Sequence, residues 1–352
     1  MRSEIEDINS RLQEIIKQKH SLSLRENDAD HSASFPSQQQ RHTTHLPEPC
    51  FVGREKEKME VLRLLTSEEE GINIMNAVPK VIPIIGMGGV GKTALAQQVY
   101  HDDRVASYFD VKAWTCVSYD LDVAAITKRI LEKITGLSGE GNDLDVLQEK
   151  LREHLSGKKF LIVLDDVWTE KYGEWTNLLK PFQARAEGSV IVVTTRNLRV
   201  ASLAGAPALC LKELPQDACL TLLAYHALGA KNFDGHPHLK SLGEKIVIKC
   251  KGLPLAVKTL GGLLRADVNP HEWEAISNSR IWDLPVDRNE ILPSLKLSYL
   301  HLPSHLKRCF AYCAIFPKDY EIERDELIHW WMAEGLVDGS KGKNLWKTGL
   351  LK

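Results

Sequence analysis

The stretch "VIPIIGMGGVGKTALAQQVY", residues 81–100, decides the fold, because an apolar strand pattern runs into a glycine-rich turn and then into an alanine-rich amphipathic pattern. The spacing from Gly86 to Gly91, Lys92 and Thr93 fits G-x-x-x-x-G-K-[ST], the phosphate-binding loop. Such a turn directs backbone N–H groups at phosphate oxygens, and the following helix adds its positive end. The motif predicts that Lys92 pairs with the β and γ phosphates and that Thr93 is a ligand of Mg²⁺.

The composition indicates a globular chain without a strong overall charge. The 352 residues are 43% hydrophobic and 26% charged, which suffices for two or three packed units. A net charge of -2 and a pI near 6.7 give no general attraction to nucleic acid, so we expect no nucleic-acid partner. Neither a signal peptide nor an 18-residue apolar span occurs in the sequence. We therefore expect a cytoplasmic protein without a transmembrane segment, and a peripheral position at the plasma membrane stays open.

The pattern of apolar residues divides the chain into regions. A seam of Ile and Leu predicts one coiled-coil helix within residues 1–25, and residues 26–49, poor in large apolar side chains, read as a disordered linker. Between residues 50 and 206, strand patterns beginning at 81, 111, 160 and 190 alternate with helical patterns, which predicts a parallel α/β sheet. After residue 211 we expect no further strand. Helices are predicted there over 216–228, 238–250, 254–265 and 271–277.

Two further strands end in residues that suit phosphate chemistry. "FLIVLDDVW" at 160 delivers Asp165 and Asp166 to the carboxyl end of the sheet, where ligands bind in open α/β folds. We expect Asp165 to hold Mg²⁺ through water and Asp166 to orient or deprotonate an attacking water. Many related ATPases carry a longer glutamate there, so slow hydrolysis is expected. "GSVIVVTTRN" at 188 ends in Thr194, Thr195 and Arg196, and Arg196 is a candidate reader of the γ-phosphate.

A second cluster resembles a zinc site, because His301, His305, Cys309 and Cys313 recur every four residues. On one helix, however, these four positions would spread over about 18 Å along the axis, whereas metal bonds of about 2 Å must converge on one point. Pro303 is also expected to start the helix and to leave His301 outside it. The spacing therefore favours packing over metal binding.

Seven ordered motifs together resemble the nucleotide-binding module, NB-ARC, of plant coiled-coil, nucleotide-binding, leucine-rich-repeat disease-resistance proteins. They are "FVGRE" at 51, "GMGGVGKTALA" at 86, "FDVKAWTCVS" at 109, "FLIVLDDVW" at 160, "GSVIVVTTR" at 188, "KGLPLA" at 251 and "CFAYCAIFPKDY" at 309. The resemblance implies a P-loop NTPase sheet of the STAND or AAA+ type over residues 50–206. It also implies a helical domain, ARC1, over 207–283 and an incomplete winged-helix domain, ARC2, over 284–352.

This resemblance also implies a function and a set of site residues. Members of the family are signal-transduction ATPases that are off with ADP and on with ATP, assemble into oligomers and trigger defence signalling. For this chain it implies ADP, ATP and Mg²⁺ as cofactors, and at most slow Mg-dependent ATP hydrolysis. Val52, Gly53 and Pro254 would bracket adenine and ribose, and Arg196 would sense the γ-phosphate. The implied phosphate-loop contacts are Gly86, Gly88, Gly89, Val90, Gly91, Lys92, Thr93 and Ala94.

The sequence also departs from the family pattern. Neither a Met-His-Asp motif nor a leucine-rich array is present, and the last ten residues do not resemble the usual continuation. We therefore expect a truncated product or fragment that associates with itself or with related receptors. Two other functions stay open: a turnover enzyme, such as a kinase or nucleic-acid-remodelling ATPase, and a nucleotide-independent adaptor or decoy. The recognised effector or guarded host protein cannot be read from the sequence.

Overall fold

The structure, a computed structural model, describes residues 47–66, 79–117, 121–136, 143–183, 186–203, 207–265, 268–283, 293–302, 304–316, 320 and 322–337. The helix predicted within residues 1–25 lies outside the described residues, as does most of the linker predicted for 26–49. The described part contains five strands and fourteen α-helices. The strands are β1 (Lys80–Ile85), β2 (Val111–Cys116), β3 (Phe160–Asp165), β4 (Val190–Thr195) and β5 (Leu209–Cys210).

The helices divide into those that accompany the sheet and those that follow it. The first group is α1 (Glu55–Thr66), α2 (Lys92–Tyr100), α3 (Asp103–Tyr108), α4 (Val123–Thr135), α5 (Leu144–Leu155), α6 (Tyr172–Leu179) and α7 (Leu198–Leu203). The second group is α8 (Gln216–Leu228), α9 (Pro237–Lys249), α10 (Pro254–Leu264), α11 (Pro270–Ser277), α12 (Pro293–His301), α13 (Ser304–Tyr312) and α14 (Arg324–Ala333). Short 3₁₀ turns follow α6, α11 and α13 at Lys180–Gln183, Arg280–Asp283 and Cys313–Ile315.

All five strands are parallel, in the order β2-β3-β4-β1-β5. Strands β3 and β4 are buried along their whole length, as expected for a sheet covered on both faces. The predicted parallel sheet is therefore confirmed. The two-residue strand β5 was missed, because its pairing with Ile84 and Ile85 depends on tertiary contact and leaves no alternation in the sequence.

Apolar side chains alternate between the two faces of the sheet and build two cores. On β3, Leu161 and Val163 join one cluster, whereas Phe160, Ile162 and Leu164 join the other. The first cluster continues without interruption into the helices after β5 and includes buried side chains of α8, α9, α10 and α11. This shared core fixes the helical region against the sheet, and the edge between them carries the candidate site.

The helices after the sheet begin and end within one residue of their predicted bounds over 216–277. Capping explains part of this agreement. Pro237, Pro254 and Pro270 each occupy the first helical position, and Gly229 ends α8 in the left-handed conformation. The domain boundaries predicted at residues 206 and 283 stay predictions.

No helix in the described ranges combines the length and the apolar character that a membrane span requires.

Candidate nucleotide-binding site

The glycine-rich loop lies between the carboxyl end of β1 and the first turn of α2. Gly89 and Gly91 have φ angles of 78° and 101°, in the left-handed region that favours glycine. A Cβ on Gly89 would also lie 2.7 Å from the Cβ of Leu255 on α10, so a side chain has no room there. Left-handed residues between right-handed ones turn successive N–H groups into a concave nest, which is the backbone shape that binds phosphate.

Lys92 begins α2 and is nearly buried, with 7% of the residue exposed. Its Nζ donates to the carbonyl oxygens of Gly86 at 2.9 Å and Met87 at 3.1 Å. Burial lowers the pKa of Lys92, the Arg196 cation lowers it further, and Asp165 and Asp166 partly offset this. A phosphate would supply the counter-charge that two neutral carbonyls do not.

Asp165 and Asp166 lie side by side at the end of β3 and differ in environment. Asp165 is 4% exposed, and its Oδ1 accepts hydrogen bonds from Thr93 Oγ1 at 2.9 Å and Thr194 Oγ1 at 2.5 Å. Burial raises the pKa of Asp165, and the bonds from Thr194 and Thr93 oppose this rise. Asp166 has a φ of 57°, and its N–H donates to the same Thr194 hydroxyl at 2.9 Å. Thr194 therefore holds both acidic residues.

Arg196 directly follows β4, and its side chain lies beside the glycine-rich loop. Its Nε is 3.9 Å from Asp166 Oδ1, and its guanidinium carbon lies 5.0 Å from the ring centre of Trp168. A Cβ on Gly88 would lie 2.9 Å from Arg196 Nη1, so the guanidinium approaches the loop closely at this glycine. The arrangement places a cation beside the loop and the carboxylates, where a terminal phosphate would be contacted.

These elements border a cavity of about 420 Å³, within the range of about 300–1,000 Å³ usual for small-molecule sites. Glycine-loop backbone, Lys92, both carboxylates and Arg196 make up the part of the wall that we call the polar end. The apolar end is made up of Phe51, Val52, Leu214, Leu222 and Pro254, and Glu48, His226 and Lys258 also border the cavity. The predicted residues on its wall are Val52, Gly89, Val90, Gly91, Lys92, Thr93, Ala94, Asp165, Asp166, Arg196 and Pro254. Gly53, Gly86 and Gly88 are not on the wall. A Cβ on Gly53 would lie 2.6 Å from Ala218 Cβ, so Gly53 permits close packing against α8.

The segment before α1 closes one side of the cavity. Glu48 forms an ion pair with Lys258 of α10 at 2.8 Å, and its carbonyl accepts from Gln98 Nε2 at 3.1 Å. Both charged residues border the cavity together with His226 of α8, whose pKa is lowered by burial and then by Lys258. Glu48, predicted to lie near the end of the disordered linker, is thus held against the site by long-range contacts.

Two contacts of the loop were missed by sequence analysis. Arg54, 4% exposed, donates from Nη2 to the Val90 carbonyl at 3.0 Å, and the N–H of Leu255 donates to the Gly89 carbonyl at 3.2 Å. The motif "FVGRE" contains Arg54, but a charged residue after a glycine reads equally as an exposed helix start. The Leu255 contact is made by backbone and therefore leaves no trace in residue type.

The side chains at the polar end fit Mg²⁺ together with phosphates. A threonine hydroxyl and a carboxylate are hard oxygen ligands, and Mg²⁺ usually takes one or two protein ligands while phosphates and water complete its shell. Thr93 and Asp165 are such a pair, with Thr93 Oγ1 2.9 Å from Asp165 Oδ1. No group of three or more His, Cys, Asp and Glu suited to a metal occurs among the described residues. In the zinc-like motif, Cys309 is buried and Cys313 Sγ donates to its carbonyl at 3.4 Å.

Family comparisons match two parts of the chain. The NB-ARC domain model matches residues 55–232, and the "Disease resistance protein Winged helix domain" model matches residues 315–350. The second match extends over most of the last ten residues, so the expectation that these do not resemble the family's continuation is wrong.

Curated relatives and solved structures were also compared. The chain is 43% identical over 353 residues to "Putative disease resistance RPP13-like protein 1" of Arabidopsis thaliana, covering 99% of this chain and 33% of the relative. It is 44% identical over 295 residues to "Disease resistance protein RGA2" of Solanum bulbocastanum, covering 83% of this chain and 30% of the relative. The chain thus spans about a third of the length of these relatives. A STAND-protein structure from Pyrococcus horikoshii aligns with a TM-score of 0.46 at 18% identity, covering 80% of this chain and 37% of that one.

Proposed function

The chain belongs to the NB-ARC family of plant disease-resistance proteins, and on that premise we propose that it is an ADP- and ATP-binding switch for defence signalling that hydrolyses ATP slowly. One observation carries this proposal. The cavity of about 420 Å³ has a glycine-lined polar end, with Lys92 and Arg196 beside two carboxylates, and an apolar end, and so matches a nucleoside polyphosphate with its Mg²⁺ in chemistry at both ends.

We assign phosphate binding to the loop and Lys92. The N–H groups from Gly89 to Ala94, residues that line the cavity, would surround the phosphates, and the Lys92 ammonium would exchange its carbonyl partners for phosphate oxygens. The apolar end would take the base and ribose between Val52 and Pro254, while Gly53, which is not on the wall, would let this segment pack closely against α8. Because the Pro254 side chain approaches the loop, with its Cγ 3.9 Å from the position of a Gly91 Cβ, base and phosphate would share one continuous wall.

We assign hydrolysis to the two carboxylates and Arg196. Bound Mg²⁺ would neutralise charge on the phosphates, and Thr93 and Asp165 would hold it, Asp165 through water. Asp166 is the more exposed carboxylate and would orient the attacking water, while Arg196 would contact the γ-phosphate. Because an aspartate reaches less far than a glutamate and Arg196 already pairs with Asp166, we expect turnover to be slow, as suits a switch.

The setting of the switch is also a proposal. We propose a cytoplasmic protein, with a peripheral association at the plasma membrane left open, that associates with itself or with related receptors. Both family models and the names of the relatives support a role in disease resistance.

The test is the nucleotide content and ATP turnover of the purified chain. We expect close to one ADP per chain, released on denaturation and identified by chromatography, with turnover far below one per second. Fast turnover would favour a metabolic or remodelling enzyme. An empty site that takes up neither ADP nor ATP would refute the switch and favour a nucleotide-independent adaptor.

A further inference from the structure

We infer, on the basis of the proposed phosphate binding, that Arg54 is a positioning residue that sets the shape of the phosphate loop and ties it to the segment leading into the helical region. Arg54 lies directly before α1, with 5% of its side chain exposed. Its Nη2 donates to the Val90 carbonyl at 3.0 Å and to the Lys212 carbonyl at 2.5 Å, and its Nη1 donates to Glu57 Oε1 at 2.8 Å.

The Val90 carbonyl matters because of the geometry of the nest. When N–H groups of the loop point at a ligand, neighbouring carbonyls point away from it and need donors of their own. The Gly89 carbonyl accepts a hydrogen bond from the N–H of Leu255, and the Val90 carbonyl accepts one from Arg54 Nη2. Without Arg54 the buried Val90 carbonyl would lose this donor, and a rotated peptide between Val90 and Gly91 would turn its N–H away from the phosphate.

The Lys212 carbonyl is the second backbone acceptor of Arg54. Lys212 lies in the connection between β5 and α8, and backbone hydrogen bonds hold this connection at both ends. The N–H of Leu211 donates to the Ile85 carbonyl at 2.7 Å, and the N–H of Leu214 donates to the Gly252 carbonyl at 2.8 Å. Arg54 therefore links the glycine-rich loop to the connection between β5 and α8. One rigid guanidinium sets the distance between the Val90 and Lys212 carbonyls.

The burial of the cation argues for a role beyond packing. A charged group taken out of water is costly unless several hydrogen bonds compensate it, and an apolar residue of similar length would fill the same space at lower cost. What an apolar residue cannot do is hold two carbonyls of separate segments at fixed positions. This points to the loop geometry as the property that Arg54 secures.

The experiment compares affinities for ADP and AMP, measured by calorimetry on nucleotide-stripped full chains of wild type, Arg54→Met and Arg63→Met. Arg63 is the matched control, because it pairs with a glutamate three residues away, at 3.1 Å, on the exposed side of α1. General destabilisation of the fold would weaken the binding of ADP and of AMP equally. A distorted loop would weaken the binding of ADP more, because the loop binds the β-phosphate that AMP lacks. We expect the ratio of ADP to AMP affinity to fall about tenfold in Arg54→Met and to stay within twofold of wild type in Arg63→Met.

A second variant keeps the test decisive if Arg54→Met does not fold. Arg54→Lys retains the charge but ends one bond short of the guanidinium nitrogens, so we expect a three- to tenfold fall in the same ratio. An unchanged ratio in the folded variant would overturn the role of Arg54 while leaving nucleotide binding intact. If wild type itself binds neither nucleotide, the proposed function fails instead, so the two failures are distinguishable.

Discussion

Thr194→Val removes the single hydroxyl that holds both acidic residues of the site. Thr194 is fully buried, donates to Asp165 Oδ1 at 2.5 Å and accepts the N–H of Asp166 at 2.9 Å. Valine has nearly the same shape, so no cavity forms and the effect reports the lost hydrogen bonds. A bond to a charged group contributes about 1.5–3 kcal/mol and a neutral one about 1 kcal/mol, so we expect a loss of about 2.5–4 kcal/mol in the free energy of unfolding.

The neighbouring Thr195→Val is the matched control. Thr195 is equally buried, donates to the Val167 carbonyl at 2.7 Å and accepts the N–H of Asn197 at 3.0 Å. Both of its bonds are to neutral groups, so we expect a loss of about 2 kcal/mol. Urea unfolding of the two variants beside wild type measures the difference.

The two variants should differ most in their response to Mg²⁺. Without Thr194, burial raises the pKa of Asp165 with only Thr93 opposing it by a hydrogen bond, and the carboxylate loses part of its orientation. We expect the Mg²⁺ concentration for half-maximal ATP hydrolysis to rise about tenfold in Thr194→Val and to stay near wild type in Thr195→Val. The stability loss should also shrink as the pH falls, because the lost bond is strongest to the ionised carboxyl. Equal Mg²⁺ requirements in the two variants would refute the proposed role of Thr194.

Three further outcomes are expected. Asp166→Asn keeps the side-chain shape and the tolerance of a positive φ, so ADP affinity should stay within threefold of wild type. ATP turnover should fall at least tenfold, and unchanged turnover would show that Asp166 takes no part in the reaction. Burial raises the pKa of Cys219 to about 11 and of Cys250 to about 12, so at pH 8 both should resist alkylation until unfolding while exposed Cys210 reacts, as mass spectrometry of labelled peptides would show. Gly89→Ala should abolish ADP retention and destabilise the fold by about 1–3 kcal/mol, and calorimetric ADP binding at wild-type strength would contradict this.

The sheet was predictable because its signals are local. Strands β3 and β4 are apolar runs that end in polar residues, and parallel strands bring these ends to one edge of the sheet. Asp165 and Arg196 could therefore be expected at the same edge from sequence alone. Strand β5 could not, since two residues beside β1 acquire their conformation from pairing and not from their own pattern.

The long-range contacts of the site were not predictable in the same way. Arg54 meets the Lys212 carbonyl across 158 positions, and Glu48 meets Lys258 across 210. In each case at least one partner is a backbone atom or an ordinary surface-type residue, so residue type indicates no pairing. The same holds for Thr194, whose hydroxyl was expected at the edge but whose bonds to both acidic residues depend on the register of β3 against β4.

The most direct test of the switch is the nucleotide retained by Lys92→Ala beside Lys112→Ala. Lys112 is the matched control, because its Nζ also donates to a backbone carbonyl, that of Tyr100 at 2.9 Å, and burial lowers its pKa as it does that of Lys92. Both proteins would be purified alike, and bound nucleotide would be measured per folded chain. We expect near-stoichiometric ADP in Lys112→Ala and less than a tenth of that in Lys92→Ala. Equal ADP content in the two variants would contradict the account.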